Sequence, residues 1–214
     1  MRREAWSYVL ALCGLAQASA CAPRARPLAG APVPTVRFPD TRLPSGARRV
    51  VFTWEFQDQD GFSAKGEGVG RIVAPDSARM DFFLTGGYGG GWAILIGDRL
   101  STPGPDIIRR LVPPAPLLWA TLGRVAVPAA ADTSARVVGD TLRAEIGGDP
   151  RWRLTFVGPQ LRRVERVDGG RIVEFVTRDG AALHYENTAA RRSLTLHVQR
   201  TEEVGGFDAS IWRP

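Results

Sequence analysis

The chain from residue 47 onward alternates apolar and polar side chains with a period of two, and this alternation constrains the fold more than any other feature. Successive side chains of a β-strand point to opposite faces, so each alternating run predicts a strand with one apolar face. The apolar positions of these runs are Val50/Phe52/Trp54/Phe56, Met80/Phe82/Leu84, Trp92/Ile94/Ile96, Leu142/Ala144/Ile146, Trp152/Leu154/Phe156 and Leu194/Leu196/Val198. Turn sequences such as Asp168-Gly169-Gly170 separate the runs, as antiparallel hairpins require. The sequence therefore predicts a mainly β fold built on one large antiparallel sheet.

Two short helices are predicted to cover the apolar face of this sheet. The first begins at Asp106, a fair N-cap residue, and breaks at Pro113-Pro114. The second starts near Leu117 and ends at Gly123, a fair C′ residue. Core filling is the simpler role for this segment. A movable lid over an apolar cavity is the alternative.

Gly66, Gly68 and Gly70 fall on the same face of one predicted strand, which leaves that face without side chains. Glycine inside a strand marks a bend or the close approach of another element. Strand curvature or tight helix contact therefore explains the strip. The alternative is that the bare strip makes room for the acyl chain of a ligand.

The N-terminus has the pattern of an export signal followed by a lipid anchor. Residues 1–20 contain Arg2 and Arg3, an apolar run, and the small residues Ala18-Ser19-Ala20. Cys21 follows directly and would be the one cysteine left after export, without a disulfide partner. The pattern resembles the lipobox of bacterial lipoproteins, with alanine where leucine is usual. We therefore predict a signal peptide at 1–20 and lipidation of Cys21, with a plain secreted protein as the alternative.

Residues 21–46 are predicted to form a tether between this anchor and the folded domain. The segment is rich in proline and has little apolar periodicity, which is typical of a stiff, extended spacer. A single domain then occupies residues 47–214, a length that suits one hydrophobic core.

The charge distribution and the polar residues do not favour nucleic-acid binding, a metal site or catalysis. The chain has 28 Lys and Arg against 22 Asp and Glu, and its arginines are spread among acids rather than clustered. His184 and His197, the two histidines, occupy polar positions of their strands. Carboxylates such as Glu55, Glu67 and Asp81 have polar or basic neighbours, and a hydrolase that uses such groups is the third functional hypothesis. No cofactor or metal is expected.

A glycine-rich loop, Gly86–Gly91, joins two predicted strands and carries Tyr88. It has neither the lysine and hydroxyl of a phosphate-binding loop nor a following helix. The simplest interpretation is a flexible loop that only connects the two strands. An aromatic ring with a polar tip also partitions well into a membrane interface, so Tyr88 is a candidate membrane contact.

Four features together resemble the LolA/LolB-like lipoprotein-localisation family, and most closely its outer-membrane lipoprotein branch, LolB. They are the anchor Cys21, the strand around Trp54, the strand-loop-strand segment 81–95 and the proline-led helix 116–124. The resemblance implies an incomplete antiparallel barrel, closed by short helices, that holds acyl chains and performs no chemistry. In LolB a loop residue assists insertion of cargo into the membrane, and Tyr88 occupies the matching place.

By this resemblance the chain is a monomeric, membrane-anchored carrier or acceptor of acylated, lipid-like ligands on the periplasmic face of the outer membrane. It would receive its cargo from a periplasmic lipoprotein carrier. A non-carrier envelope lipoprotein that serves as an interaction module is the alternative. The residues expected to line the cavity are Phe52, Trp54, Phe82, Ile94, Trp119, Leu154 and Leu196.

Overall fold

The predicted strands pair into one open antiparallel sheet. The structure, a computed structural model, describes residues 22–34, 36–86, 89–128 and 130–213. In these residues the strands are β1 Ala31–Pro32, β2 Ala47–Gln57, β3 Ser63–Val73, β4 Ser77–Leu84, β5 Gly90–Ile96, β6 Arg99–Ser101, β7 Thr133–Val138, β8 Thr141–Ile146, β9 Arg151–Val157, β10 Gln160–Asp168, β11 Arg171–Asp179, β12 Ala182–Asn187 and β13 Arg192–Val204. Their order is β1-β7-β8-β9-β10-β11-β12-β13-β2-β3-β4-β5-β6. The sheet is curved and does not close into a barrel, because β1 and β6 remain as edges.

The concave face of the sheet carries the hydrophobic core. Phe52, Trp54 and Phe56 of β2 alternate toward it, and Leu194 and Leu196 of β13 pair beside them. The same alternation holds in β4, β8 and β9. The fold class predicted from the two-residue period is therefore confirmed.

Two helices pack on the concave face, as predicted. Helix α1 is Asp106–Leu111 and helix α2 is Ala115–Thr121, and a 3₁₀ turn, Ala209–Trp212, follows the last strand. Pro105 occupies the N-cap position of α1, so the N-cap predicted at Asp106 is one residue late. Helix α2 begins two residues before Leu117, because a proline is tolerated in the first turn of a helix.

Helix α2 ends in a Schellman motif at the glycine predicted for its C′ position. Gly123 has φ +86°, its N–H donates to Ala120 O at 3.0 Å, and Arg124 N–H donates to Trp119 O at 3.0 Å. These bonds satisfy carbonyls that the end of a helix would otherwise leave unpaired.

Strand β5 turns its side chains the other way from the prediction. Ala93 and Leu95 join the concave core, whereas Ile94 lies opposite Arg79 on the convex face, together with Trp92. Both faces of this strand are covered, since Ile94 is also buried and the C-terminal turn approaches the convex side through Ile211 O, which accepts from Arg79 Nη1 at 2.8 Å. The two-residue period could not predict which side chains of β5 point to the concave face, because residues 92–96 are all apolar.

The bare glycine strip of β3 is filled by the side chains of neighbouring strands. A Cβ on Gly68 would lie 2.2 Å from Phe52 Cζ, and one on Gly66 would lie 3.1 Å from the Trp54 ring and 1.8 Å from Phe83 O. The strip is therefore explained by the close approach of neighbouring strands, whereas the simpler interpretation named strand curvature or tight helix contact. The approaching groups are aromatic rings and a strand backbone rather than a helix.

The proline-rich segment follows the sheet over much of its length. Pro23 O accepts from Ile172 N at 2.9 Å, and Ala25 N donates to Gly170 O at 2.9 Å. Strand β1 pairs with β7 at the sheet edge. Prolines keep the backbone extended, and an extended backbone can also pair with a strand. Because residues 22–34 contact the sheet, the segment can hold the domain less far from an anchor than a free tether of the same length would.

After β1 the segment crosses to the concave side. The Phe38 ring stacks on Phe156 with centroids 6.0 Å apart, and Thr41 Oγ1 accepts from Val125 N at 3.1 Å. Leu43 packs against the core. Residues 38–43 thus pack on the concave side, next to the segment that follows α2.

Candidate ligand-binding cleft

An open cleft of about 300 Å³ lies where the concave face meets the end of α2. Its walls come from β2, β13, the start of β12 and the last residues of the helix, with Ile72 and Met80 behind them. The alternation that builds the core continues here as Val50, Leu183 and Val198. The cleft is lined by Arg48, Val50, Phe52, Ile72, Met80, Thr121, Leu122, Arg178, Gly180, Ala181, Leu183, Leu196, Val198 and Thr201.

The structure separates the seven residues that were predicted to line one cavity. Phe52 and Leu196 reach the cleft wall. Ile94 lies on the convex face and contributes nothing to the concave side. The other four are packed in the core under the helices: Trp54, Phe82, Trp119 and Leu154.

The interior beneath the helices is filled by aromatic packing. The Phe82 ring lies edge-on to Phe52, with centroids 5.6 Å apart, and to Trp54, at 5.9 Å. Trp54 Nε1 donates to Glu67 O at 3.0 Å. The deep part of the concave face therefore serves as core, and apolar surface stays accessible in the cleft.

Trp119 fixes α2 over the sheet. The residue is fully buried, and its Nε1 donates to Gly97 O at 2.6 Å in the turn between β5 and β6. The Arg124 guanidinium lies 4.5 Å from the ring centroid. In the described conformation the segment fills the core, which is the simpler of its two predicted roles.

Two arginines stand on the concave face at the rim of the cleft. Arg48 shares the face of Val50 and Phe52, and its Nη2 donates to Pro44 O at 2.6 Å. Arg178 shares the face of Val176, and its Nη1 donates to Ala120 O at 3.2 Å and to Thr121 O. Burial, with a smaller contribution from the charge of Arg162, lowers the pKa of Arg178 below its ordinary value. In the sequence, each of these arginines stands at a position where the alternation of its strand calls for an apolar residue, and this is the signal that could have identified them.

A buried carboxylate cluster, also missed by sequence reasoning, lies elsewhere on the concave face. Glu174 accepts from Tyr185 Oη at 3.2 Å, from Asn187 Nδ2 at 2.7 Å and from Arg166 Nε at 3.0 Å. Burial and the neighbouring carboxylate raise the pKa of Tyr185. Because each carboxylate oxygen has a donor, we interpret the cluster as structural.

The carboxylates and histidines considered from the sequence lie on the convex face, where Glu55 and Glu67 are exposed and Asp81 is buried. Asp81 is bound by Arg71 and by Arg79, whose Nε is 3.0 Å from Oδ1. His184 lies beside Phe175, and its Nδ1 is 3.0 Å from Thr195 Oγ1, while His197 is exposed. In the described part of the chain, no group of three His, Cys, Asp or Glu side chains is placed to hold a metal ion.

Two predicted functional residues, Cys21 and Tyr88, lie outside the described residues, as does the signal segment 1–20. The ends of the loop that carries Tyr88 are described, and they join β4 to β5 as predicted. No helix among the described residues has the length and apolar character needed to cross a membrane.

The arrangement of sheet and helices is similar to that of a solved structure of LolA type. A LolA superfamily protein from Nitrosomonas europaea has a TM-score of 0.52 at 10% sequence identity, with 81% of this chain and 93% of that chain covered. A putative outer membrane lipoprotein-sorting protein domain from Vibrio parahaemolyticus has a TM-score of 0.46 at 7% identity, with 78% and 89% covered. No protein-family model and no curated protein matches the sequence. The fold is LolA-like.

Proposed function

We propose that this chain is a lipid-anchored protein of the cell envelope that carries or accepts acyl chains in the cleft beside α2. The observation that supports the proposal most is the cleft itself, a concavity of the sheet that is left open and is lined mostly by apolar side chains. Its volume of about 300 Å³ falls at the lower end of the range for small-ligand sites. Burial of each acyl methylene there would contribute about 0.8 kcal/mol of binding free energy.

The geometry of the N-terminal segment supports delivery from the aqueous side. Ala22 lies beside Arg171, at the start of β11, with 3.2 Å between Ala22 O and Arg171 Nη1. The cleft opens at Gly180 and Ala181, beyond the other end of that strand. Nine residues of strand span roughly 30 Å. While residues 22–34 follow the sheet, Ala22 and the cleft lie toward opposite ends of β11, which suits receipt of cargo from a periplasmic carrier.

Lipidation of Cys21 is the part of the proposal that concerns localisation. The matured protein is expected to begin at Cys21 and to carry diacylglycerol and a further acyl chain on that residue, in the envelope of a bacterium with two membranes. Intact-mass measurement of the membrane-extracted protein checks this. An N-terminus with an unmodified thiol would favour the secreted alternative.

Acyl-chain binding is tested by titrating a fluorescent fatty acid into the chain from residue 21 with Cys21→Ser, which removes the lipid site and keeps every described residue. We expect saturable binding that Val198→Trp weakens about tenfold or more, because an indole in the cleft displaces at least two methylenes. Gln199→Trp is the matched control, since Gln199 is the next residue and is exposed outside the cleft. Absence of binding, or equal loss in both variants, would contradict the proposal.

The packed interior favours a second candidate function. Trp54, Phe82, Trp119 and Leu154 leave the space under the helices filled, as an envelope lipoprotein acting as an interaction module would require. This candidate predicts no fatty-acid binding. The same titration therefore separates the two functions.

A further inference from the structure

We infer that the cleft selects amphiphiles with an anionic headgroup, and that Arg48 and Arg178 are the residues that recognise that group. The inference rests on the proposed function and narrows it. Both guanidinium groups belong to residues of the cleft lining, on strands whose neighbouring concave positions are apolar. A ligand that fits this surface combines an apolar chain with a phosphate or a carboxylate.

The partners of the two arginines distinguish them from several other arginines of the sheet. Arg49 donates to Glu202 at 2.9 Å, Arg153 to Glu145 at 2.6 Å and Arg163 to Glu165 at 2.7 Å. Arg48 and Arg178, among the described residues, are held by backbone carbonyls instead. Their positive charges therefore remain without a neutralising carboxylate at the rim of an apolar site.

Enough donors remain free for a ligand. A guanidinium has five N–H donors, and the bonds of Arg48 and Arg178 to carbonyls each involve one terminal nitrogen. A planar guanidinium matches the oxygens of phosphate or carboxylate in a bidentate arrangement.

Burial makes Arg178 the stronger of the two recognition groups. The guanidinium is held between the β11 strand and the end of α2, where it contacts the carbonyls of Ala120 and Thr121. Removal from water strengthens the interaction of a charge with an opposite charge. Carbonyl oxygens neutralise such a charge only in part, so an arriving anion would complete its coordination.

Glu203 is the cross-strand neighbour of Arg48 and the acid nearest in register to this site.

The inference predicts a preference between two ligands that differ only in a phosphate group. Oleoyl lysophosphatidic acid and monooleoylglycerol share one acyl chain, and only the first carries a phosphate. We expect the chain from residue 21 with Cys21→Ser to bind the lysophosphatidic acid about tenfold more tightly, as one or two charge-assisted hydrogen bonds would give. Titration calorimetry at fixed salt measures both, and the preference should fall as salt is raised.

Variants assign the preference to the two arginines. Arg48→Gln together with Arg178→Gln should bring the two affinities to within about twofold of each other, while monooleoylglycerol binding is retained. Arg49→Gln is the matched control on the adjacent, outward-facing position and should keep the full preference. Since Arg178 also holds the end of α2, Arg178→Lys is included, and it should keep part of the preference, because lysine conserves the charge but not the bidentate geometry.

Each outcome is decisive for one claim. Failure of both lipids to bind overturns the carrier proposal and this inference with it. Equal binding of both by the unsubstituted arginine pair overturns the anionic selectivity and leaves the carrier proposal standing. Glycerol 3-phosphate is titrated as well, and binding as tight as that of the lysophosphatidic acid would show a free-phosphate site instead of a lipid site.

Discussion

Replacement of Trp119 by alanine should destabilise the protein by about 3–5 kcal/mol, the range measured for removal of large buried aromatic side chains. Trp119 is fully buried in the contact between α2 and the sheet. Its loss would leave a cavity there and would also remove the 2.6 Å hydrogen bond from Nε1 to Gly97 O. For a domain of this size the melting temperature should fall by roughly 6–20 °C. Thermal unfolding followed by circular dichroism checks the value.

Trp119→Phe separates packing from hydrogen bonding. Phenylalanine keeps most of the buried surface but leaves Gly97 O without its donor, which should cost about 1–3 kcal/mol. An alanine variant no less stable than the phenylalanine variant would show that α2 is not fixed through this ring. It would then favour the lid interpretation of the helix.

Gly66→Ala should destabilise the sheet by about 3 kcal/mol, at the upper end of the usual cost of overpacking. Its Cβ would lie 1.8 Å from Phe83 O, a backbone atom of the paired strand, and 3.1 Å from the Trp54 ring. Relief of this contact requires β3 and β4 to separate or the indole to move within the core. Chemical denaturation, read as the midpoint and slope, measures the loss.

A glycine outside the strip provides the control for this substitution. Nothing lies within 4 Å of a Cβ built on Gly205, and its backbone conformation is accessible to alanine. Gly205→Ala should therefore change the free energy of unfolding by no more than about 0.5 kcal/mol. Equal stability of the Gly66 and Gly205 variants would contradict the close packing of rings against β3.

The sequence was sufficient to predict elements that one strong local signal specifies. The alternation at Val50–Phe56 gave both the existence and the orientation of β2, because one face of that strand is core and the other is solvated. Gly123 similarly identified the end of α2, since few other residues adopt φ near +86°. These parts of the fold depend on near neighbours in the chain.

The errors arise where distant segments decide the outcome. Ile94 was assigned to the concave face, but an all-apolar strand is compatible with either orientation, and the pairing register with β4, which puts Ala93 opposite Met80, sets it. Trp54 and Trp119 were predicted to line a cavity because they are aromatic and inward-facing, yet only packing determines whether such residues fill space or surround it. Proline in 22–46 indicated an extended backbone and could not reveal that the backbone pairs with the sheet.

The cleft was the part of the site least accessible to sequence reasoning. Arg48 and Arg178 are far apart in the chain. Each lies near the end of its strand, where a charged residue on the apolar face is easily taken for the start of a turn. Their common location follows from the sheet order, in which β12 and β13 separate β11 from β2.

Photoaffinity labelling tests the central claim most directly, because it reports where an acyl chain resides. A palmitate with a diazirine near the end of its chain is irradiated with the chain from residue 21 carrying Cys21→Ser, and the modified peptides are sequenced. The label is expected on cleft residues such as Leu183, Leu196 and Val198, and unlabelled palmitate should compete for it. A label confined to the outer surface around His197 and Arg163, or no labelling above background, would contradict the account.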